Sequence, residues 1–106
     1  MPLINLKFSA EMEELVLQGQ KCCTTRDEVK GIVGDIFRVK DRVYRIVYIR
    51  SFTCDNIARL YMLEGFNCSV QFVDTLEKIY PEIFDCCDNI VYAHFFAYVG
   101  ECKNDN

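Results

Sequence analysis

Residues 15–26 read LVLQGQKCCTTR, and within this stretch an apolar helix gives way to a polar segment. Gly19 can adopt the left-handed conformation that stops a helix, and Ser9 can cap the same helix at its other end. Three acids fall in its first turns, where the helix dipole is positive: Glu11, Glu13 and Glu14. The pattern predicts a helix of about nine residues that starts at Ala10 and leads the chain to Lys21.

The segment that follows, residues 20–33, is mostly polar and has no sustained hydrophobic period. It therefore predicts a loop or irregular extended chain rather than a second helix. A connection of this length without structure of its own is unusual in a chain of 106 residues, and such loops commonly carry function. This segment is the first place in the sequence to look for a site.

The remaining elements follow from hydrophobic patterns on either side of this segment. The predicted strands cover residues 3–8, 36–39, 43–49 and 90–99, and the predicted further helices cover residues 55–64 and 69–80. Asp55 and Ser69 can cap the starts of these two helices, and Gly65 and Pro81 can end them. Residues 36–49 are rich in β-branched and aromatic side chains, which is typical of a hairpin.

Strands separated by helices, with a hairpin between them, argue for an α+β fold. We expect a curved mixed or antiparallel sheet that closes toward a barrel, with about three short helices. A chain of 106 residues can bury roughly two thirds of its unfolded surface, whereas two units of half that size could not each close a core. We therefore expect residues 1–106 to form a single domain, with residues 100–106 as a frayed tail.

The composition is that of an ordinary globular protein, with 51% hydrophobic and 26% charged residues. The formal net charge of −4 would repel a nucleic-acid backbone, so nucleic-acid binding would need a local basic patch. No apolar run approaches the roughly 20 residues that cross a bilayer, and residues 1–10 do not resemble a signal peptide. Seven cysteines, an odd number with two vicinal pairs, are more typical of reduced thiols than of a disulfide framework. We expect a cytoplasmic protein with no membrane partner.

Residues 19–26 have the order Gly-x-Lys-x-x-Thr-x-Arg after a helix, and this order resembles the signature of the ASCH family. Similar landmarks extend over nearly the whole chain: Gly34-Asp35 before a hydrophobic strand, Glu64 after the hairpin, the run Ile79-Tyr80-Pro81, and the aromatic-rich strand over residues 91–96. The resemblance implies a PUA-like β-barrel. Such folds are used for RNA binding and, in small single-domain members, for hydrolysing N4-acetylcytidine to cytidine and acetate.

The resemblance also implies roles for individual residues. Thr24 would attack the acyl carbon, Lys21 would act as the base, and Glu64 would orient Lys21 or carry a proton. Arg26 would bind a carboxylate, a phosphate or a base edge, with Gly19 and Thr25 beside it. The expected partner is a modified nucleoside or RNA, and no cofactor or metal is implied.

Each of these residues also has a plain structural interpretation. Lys21 could be a solvated cation favoured by the helix dipole, and Thr24 could cap a turn. Arg26 could pair with one of three acidic neighbours: Asp27, Glu28 or Asp35. Glu64 falls at the negative end of a predicted helix, where an acid is unfavourable. This position indicates a functional role, and chance placement is the alternative.

The hairpin is a second candidate surface because its cations alternate with tyrosines. Lys40, Arg42 and Arg45 could follow a phosphate backbone while Tyr44 stacks on a base, and a solvated strand face is the alternative. On that interpretation the protein is a non-catalytic RNA-binding module. The acidic net charge favours a small substrate over a long polyanion, so we rank the hydrolase first. A protein-interaction subunit is a third interpretation.

His94 and Cys23 are the other residues with chemical potential. His94 is the sole histidine and lies on the aromatic face of the last predicted strand, which favours a packed or surface role over metal ligation. With one histidine and no Cys-x-x-Cys, the sequence contains no recognisable zinc-binding set. Cys23 could be a thiolate nucleophile stabilised by nearby cations, or a small apolar residue in a sheltered loop.

Overall fold

The structure, a computed structural model, describes residues 3–101. Its elements in chain order are α1 (Ala10–Leu17), β1 (Cys23–Arg26), β2 (Ile36–Val39), β3 (Arg42–Thr53), a 3₁₀ helix (Ile57–Leu60), α2 (Ser69–Ile79) and β4 (Ile90–Glu101). The four strands form one antiparallel sheet in the order β1-β4-β3-β2. The predicted α+β class with a curved antiparallel sheet is confirmed.

Two irregularities bend the long strands of this sheet. The register of β3 against β4 shifts between Val43 and Tyr44 and again between Ile46 and Tyr48. Shifts of this kind increase the local twist of a strand pair, so the sheet curls around its inner face. Strands β1 and β2 lie at opposite edges, which makes the described sheet a half-barrel. The strand β1 that follows the Gly19 turn is therefore an edge strand.

Apolar side chains pack on both faces of the half-barrel. On the inner face Phe37 lies against Phe96 and Tyr44, with ring centroids 5.1 and 5.7 Å away. Val16 of α1 and Leu6 cover these rings. On the outer face, α2 and the 3₁₀ helix cover one end of β4, and the buried side chains there include Ile57, Phe72, Leu76, Val91 and Ala93. Helix α2 is thus fixed beside the edge strand β1.

Helix α1 and strand β4 agree with their predictions. Ser9 caps α1 by accepting a hydrogen bond from the backbone N–H of Met12 at 3.3 Å, and Gly19 ends the turn with φ +78°. Strand β4 extends to Glu101, so residues 100 and 101 belong to the strand rather than to a frayed tail. The rest of the predicted tail, residues 102–106, lies outside the described residues. None of the helices between residues 3 and 101 has the length and hydrophobicity that a membrane crossing requires.

Three predictions of local structure were wrong. The strand predicted over residues 3–8 is irregular chain, apart from a parallel bridge between Leu3 and Ile36. Residues 20–33 contain β1, whose short polar sequence has no period that would reveal it. The helix predicted over residues 55–64 is a short 3₁₀ helix followed by turns, because Asp55 does not cap it and instead accepts a hydrogen bond from the Thr53 hydroxyl at 2.6 Å.

Candidate functional site

A buried ion pair joins two segments that are far apart in the chain. The ammonium nitrogen of Lys21 lies 2.5 Å from Oε1 of Glu64, and both side chains are 3% exposed. The second carboxylate oxygen, Oε2, accepts a hydrogen bond from the Thr25 hydroxyl at 2.7 Å. A buried charge without a partner is very costly, so each ion of this pair depends on the other. The interpretation of Lys21 as a solvated cation is therefore wrong.

Backbone hydrogen bonds bring the two ions together. After the Gly19 turn, the N–H groups of Gln20 and Lys21 both donate to the carbonyl of Leu15, at 2.9 and 3.1 Å. The next N–H group, that of Cys22, donates to the carbonyl of Leu63 at 2.8 Å. Lys21 and Glu64 directly flank this last bond, one on each segment. The bond therefore aligns the two side chains.

Gly65 allows the chain to turn immediately after Glu64. Its φ is +91°, and a Cβ added there would lie 3.0 Å from Cδ1 of Leu15 and 3.4 Å from Cβ of Lys21. A side chain would be strained by the positive φ and crowded by the end of α1. Glycine at this position thus permits the close approach on which the ion pair depends.

Thr24 lies beside the ion pair on β1, where its carbonyl and its hydroxyl both have partners. The carbonyl accepts a hydrogen bond from Nδ1 of His94 at 3.2 Å, while Nε2 of His94 accepts the backbone N–H of Lys30 at 2.9 Å. Burial is the main cause that lowers the pKa of His94, and nearby Arg26 and Lys30 lower it further. The neutral imidazole therefore joins β1 to the loop that follows it, which is a packed structural role.

Arg26 contacts Thr24 and the amino-terminal segment rather than an acid. Its Nε donates to the Thr24 hydroxyl at 3.1 Å, its Nη2 donates to the carbonyl of Lys7 at 2.7 Å, and its guanidinium lies 5.3 Å from the ring centre of Phe8. No carboxylate between residues 3 and 101 lies within 4.0 Å of the guanidinium. The predicted ion pair with Asp27, Glu28 or Asp35 is absent from this part of the chain. Burial lowers the pKa of Arg26 from its ordinary value.

These groups line one cavity of about 360 Å³ at the free edge of β1. Five of the residues expected from the sequence are in its wall: Lys21, Thr24, Thr25, Arg26 and Glu64. The volume falls in the range of small-molecule sites, roughly 300–1,000 Å³. The segments that were predicted to form the site therefore do share a concave surface.

Gly19 is not part of this cavity. It lies at the end of α1 beside a second concavity of about 390 Å³, together with Arg42, Tyr44 and Tyr98. Glycine is required at position 19 by the helix-ending turn, whose φ is +78°. Lys21 lines both concavities, whereas Thr24 lines the first and Gly19 the second.

Sequence reasoning missed the opposite wall of the cavity. This wall is formed mainly by one face of α2 and the chain beside it: Phe66, Phe72, Thr75, Leu76, Ile79 and Tyr80. Phe8, Met12 and Lys7 close the cavity from the amino-terminal side. The 3.6-residue period of α2 indicated an apolar face, but nothing in the sequence showed that part of this face would border an open site.

Cys23 is not suited to act as a nucleophile. It is fully buried in the apolar cluster on the outer face of the sheet. Burial, followed by the nearby Glu64 carboxylate, raises the pKa of the Cys23 thiol. The nearby Lys21 ammonium opposes this shift but does not reverse it. The thiol is therefore protonated, and Cys23 is a small apolar residue of the core.

The four hairpin residues proposed for RNA binding do not form one surface. The ring of Tyr44 is buried against Phe37 and Phe96, so it cannot stack on a base. Arg42 donates to the carbonyl of Leu17 at 2.7 Å, and Lys40 lies 3.9 Å from a carboxylate oxygen of Glu13. Arg45 is exposed on the opposite face of β3. The predicted combination of cations and a stacking tyrosine is therefore wrong with respect to Tyr44.

Metal coordination has no support in the described part of the chain. Between residues 3 and 101, no three side chains of the His, Cys, Asp and Glu types gather in a way that could hold a metal ion.

The fold is similar to that of three solved structures, one of which is an ASCH domain. The crystal structure of an ASCH domain from Lactobacillus crispatus JV V101 is similar with a TM-score of 0.72 and 12% identity, over 86% of this chain and 72% of that one. Protein EF3133 from Enterococcus faecalis V583, of DUF984, has a TM-score of 0.67 and 14% identity, over 88% of this chain and 69% of that one. The hypothetical protein PH0355 has a TM-score of 0.66 and 17% identity, over 87% of this chain and 94% of that one.

Comparison by sequence gives no relatives, since no family model and no curated protein matches the chain. At identities of 12 to 17%, the likeness is one of fold. It confirms the ASCH-type, PUA-like architecture that the motif over residues 19–26 predicted.

Proposed function

We propose that the protein is an ASCH-family amidohydrolase that removes the N4-acyl group of a modified cytidine nucleoside. The observation that carries the proposal is the buried Lys21–Glu64 ion pair in the wall of a cavity that Thr24 also lines. Burying two charges is costly, and an apolar pair of similar volume would hold the fold equally well. Their presence beside a nucleophile and an open cavity is therefore better explained by chemistry than by stability.

Thr24 is suited to attack because of its hydrogen-bonding state. Its oxygen accepts a hydrogen bond from Nε of Arg26, so its own hydrogen remains free to be donated. In the proposed first step, Lys21 gives a proton to Glu64 and becomes a neutral amine, the Thr24 oxygen bonds to the acyl carbon, and the Thr24 proton passes to the Lys21 amine. The pair then returns the proton to N4 of the cytosine as the C–N bond breaks.

Water completes the reaction by hydrolysing the acyl-threonine ester. This second step adds the elements of water, releases the carboxylic acid and restores the Thr24 hydroxyl. In both steps negative charge develops on the acyl oxygen, and the Lys21 ammonium, which lines the same cavity as Thr24, can stabilise that charge. Glu64 has both oxygens engaged, with Lys21 and with Thr25, which fits an orienting role.

The opposite wall of the cavity suits a planar base. Phe66, Phe72 and Leu76 present apolar surface there, and Phe8, which lies against Arg26, also lines the cavity. Aromatic and aliphatic side chains of this kind bury the faces of a pyrimidine, while the polar wall remains in contact with its exocyclic group. The division between an apolar wall and a charged wall thus supports a nucleoside over a uniformly polar substrate.

Incubation with N4-acetylcytidine, followed by chromatography of the released cytidine, tests the proposal. We expect turnover by the unmodified protein and its loss in Thr24→Ala and Lys21→Ala. Thr53→Ala, at the far end of β3, is the matched control and should retain turnover. Turnover that persists unchanged in both site variants would contradict the assigned roles.

A non-catalytic RNA-binding module is the alternative. Because Tyr44 is buried and Arg42 is bonded to α1, this alternative retains Lys40 and Arg45 as exposed hairpin cations. Phosphate contacts predict that binding to a short RNA weakens steeply as salt rises. RNA binding with that salt dependence, in the absence of turnover, would favour the module over the enzyme.

A further inference from the structure

The cavity carries more positive than negative charge. Among residues 3–101, three cations line it, Lys7, Lys21 and Arg26, and Glu64 is the one acid in its wall. The Glu64 carboxylate is occupied by Lys21 at 2.5 Å. Lys7 and Arg26 therefore lie at the cavity without an acid of their own among residues 3–101, where no carboxylate is within 4.0 Å of either side chain.

Arg26 also retains hydrogen-bond donors that the described residues do not use. Its Nε is directed to Thr24 and its Nη2 to the carbonyl of Lys7, whereas Nη1 donates to no residue between 3 and 101. Every buried side-chain nitrogen and oxygen in that range has a partner, so Nη1 is not buried, and Arg26 lines the cavity. A guanidinium that is fixed through Nε and Nη2 and has a free Nη1 can donate a hydrogen bond to an oxygen of a bound ligand.

A hydrogen bond joins Arg26 to the backbone of Lys7. Because the carbonyl of Lys7 accepts from Nη2, the backbone of the amino-terminal segment is fixed against the guanidinium. Phe8 covers one face of the same group, with its ring centre 5.3 Å away. The chain as a whole carries a net charge of −4, so this local excess of positive charge departs from the general surface.

We propose that Lys7 and Arg26 bind a phosphate group of the substrate, so that the protein acts on phosphorylated N4-acylcytidine rather than on the free nucleoside. This inference rests on the proposed function, from which the nucleoside part of the ligand is taken. A phosphate ester is the anion that such a ligand carries, and the planar guanidinium fits its oxygens. The phosphate belongs either to a nucleoside monophosphate or to the backbone of a short RNA.

Steady-state turnover of three substrates tests the inference. These are N4-acetylcytidine, its 5′-monophosphate, and a short oligoribonucleotide that contains one N4-acetylcytidine. We expect kcat/KM for at least one phosphorylated substrate to exceed that of the nucleoside about tenfold, the effect of one charge-assisted hydrogen bond. The preferred phosphorylated substrate identifies the source of the phosphate.

A pair of charge-neutralising variants separates a specific contact from general attraction. Lys7→Gln should reduce the ratio of phosphorylated to free substrate kcat/KM several-fold. Lys78→Gln removes the same charge from an exposed position on α2 that does not line the cavity, and it should leave the ratio unchanged. Equal loss in both variants would overturn the inference in favour of a diffuse electrostatic effect.

Calorimetric titration with cytidine and cytidine 5′-monophosphate keeps the two proposals distinguishable. Tighter binding of the monophosphate, lost in Lys7→Gln, would support the phosphate contact even if no turnover occurs and the hydrolase proposal fails. Equal kcat/KM for all three substrates would overturn the phosphate contact and leave the hydrolase intact. Absence of both binding and turnover would overturn both proposals.

Discussion

Lys21 and Glu64 are 43 residues apart in the chain, yet their charged atoms lie 2.5 Å apart in the fold. Both side chains are 3% exposed and line the cavity, and one backbone hydrogen bond, from Cys22 to Leu63, joins the two segments. The stability of the protein and the proposed chemistry both depend on this relationship, which makes the pair the best starting point for experiment.

Removing one ion of the pair should destabilise the fold strongly. We expect Glu64→Ala to lower the free energy of unfolding by about 3–5 kcal/mol, because the Lys21 charge would remain buried and unpaired. Glu77→Ala, on the exposed face of α2, should stay within about 0.5 kcal/mol. Urea denaturation followed by circular dichroism measures both.

The double variant Lys21→Met/Glu64→Gln tests whether the pair is retained for chemistry. It removes both charges of the pair, and the amide oxygen introduced at position 64 can still accept from Thr25, so most of the stability lost in Glu64→Ala should return. Turnover of N4-acetylcytidine should stay absent. A double variant as unstable as Glu64→Ala would show that the ion pair itself holds the fold.

The hydroxyl of Thr24 should be indispensable to turnover but not to the fold. We expect Thr24→Ala to lower kcat by at least about a thousandfold, as loss of a nucleophile does. Thr24→Ser keeps an oxygen within reach of Arg26 Nε and should retain part of the activity. Chromatographic assay of cytidine release measures the series, and equal activity of the alanine and serine variants would refute the nucleophile assignment.

Cys23 should be chemically inert in the folded protein. Because burial raises the pKa of its thiol, we expect iodoacetamide at neutral pH to modify the exposed Cys68, Cys86 and Cys87 and to spare Cys23. Peptide mass spectrometry of native and urea-unfolded samples measures the difference. Cys23→Ala should keep turnover near that of the unmodified protein, in contrast to Thr24→Ala.

Acidification should weaken the protein through His94. The pKa of His94 is lowered in the fold, so as pH falls below about 6.5 the unfolded chain binds a proton that the native state does not bind. The contribution of His94 to the free energy of unfolding is therefore fully present above that pH. It is lost progressively as the pH falls toward the lower pKa of the native state. Denaturation at about pH 7.5 and about pH 5 measures the change. The free energy of unfolding should fall more between these two pH values in the unmodified protein than in His94→Gln, whose side chain cannot titrate.

Gly65 and Gly19 provide a matched pair of glycines with positive φ. Gly65→Ala should cost more stability than Gly19→Ala, because a Cβ at 65 meets Leu15 at 3.0 Å, whereas a Cβ at 19 has nothing within 4 Å. Both substitutions introduce backbone strain, roughly 1–3 kcal/mol. Gly65→Ala should in addition reduce turnover, since Glu64 is the adjacent residue. Equal costs at the two positions would show that crowding at 65 is relieved by local movement.

Much of the fold was predictable where short-range patterns are decisive. Helix α1 has a capping serine, acids in its first turn and a stop glycine, all within one stretch of sequence. The hairpin and β4 have the β-branched and aromatic residues that favour strands. Strand β1 was missed because its four residues, Cys23–Arg26, are too few to show a hydrophobic period and lie in a mostly polar segment; they form a strand by pairing with β4. The 3₁₀ helix was mistaken for an α-helix because Asp55 can cap a helix but bonds to Thr53 instead.

For the site, the sequence alone determined which residue types occur together after α1: an amine, a hydroxyl and a guanidinium within six residues, 21–26. The meeting of Glu64 with Lys21 was implied by the family resemblance alone. Local sequence patterns did not predict that α2 forms the facing wall or that Gly19 lies outside the cavity. Those outcomes depend on contacts between segments tens of residues apart, and local propensity contains no information about such contacts. Burying an unpaired charge or exposing an apolar face costs free energy. The contacts that avoid these costs form only in the assembled fold.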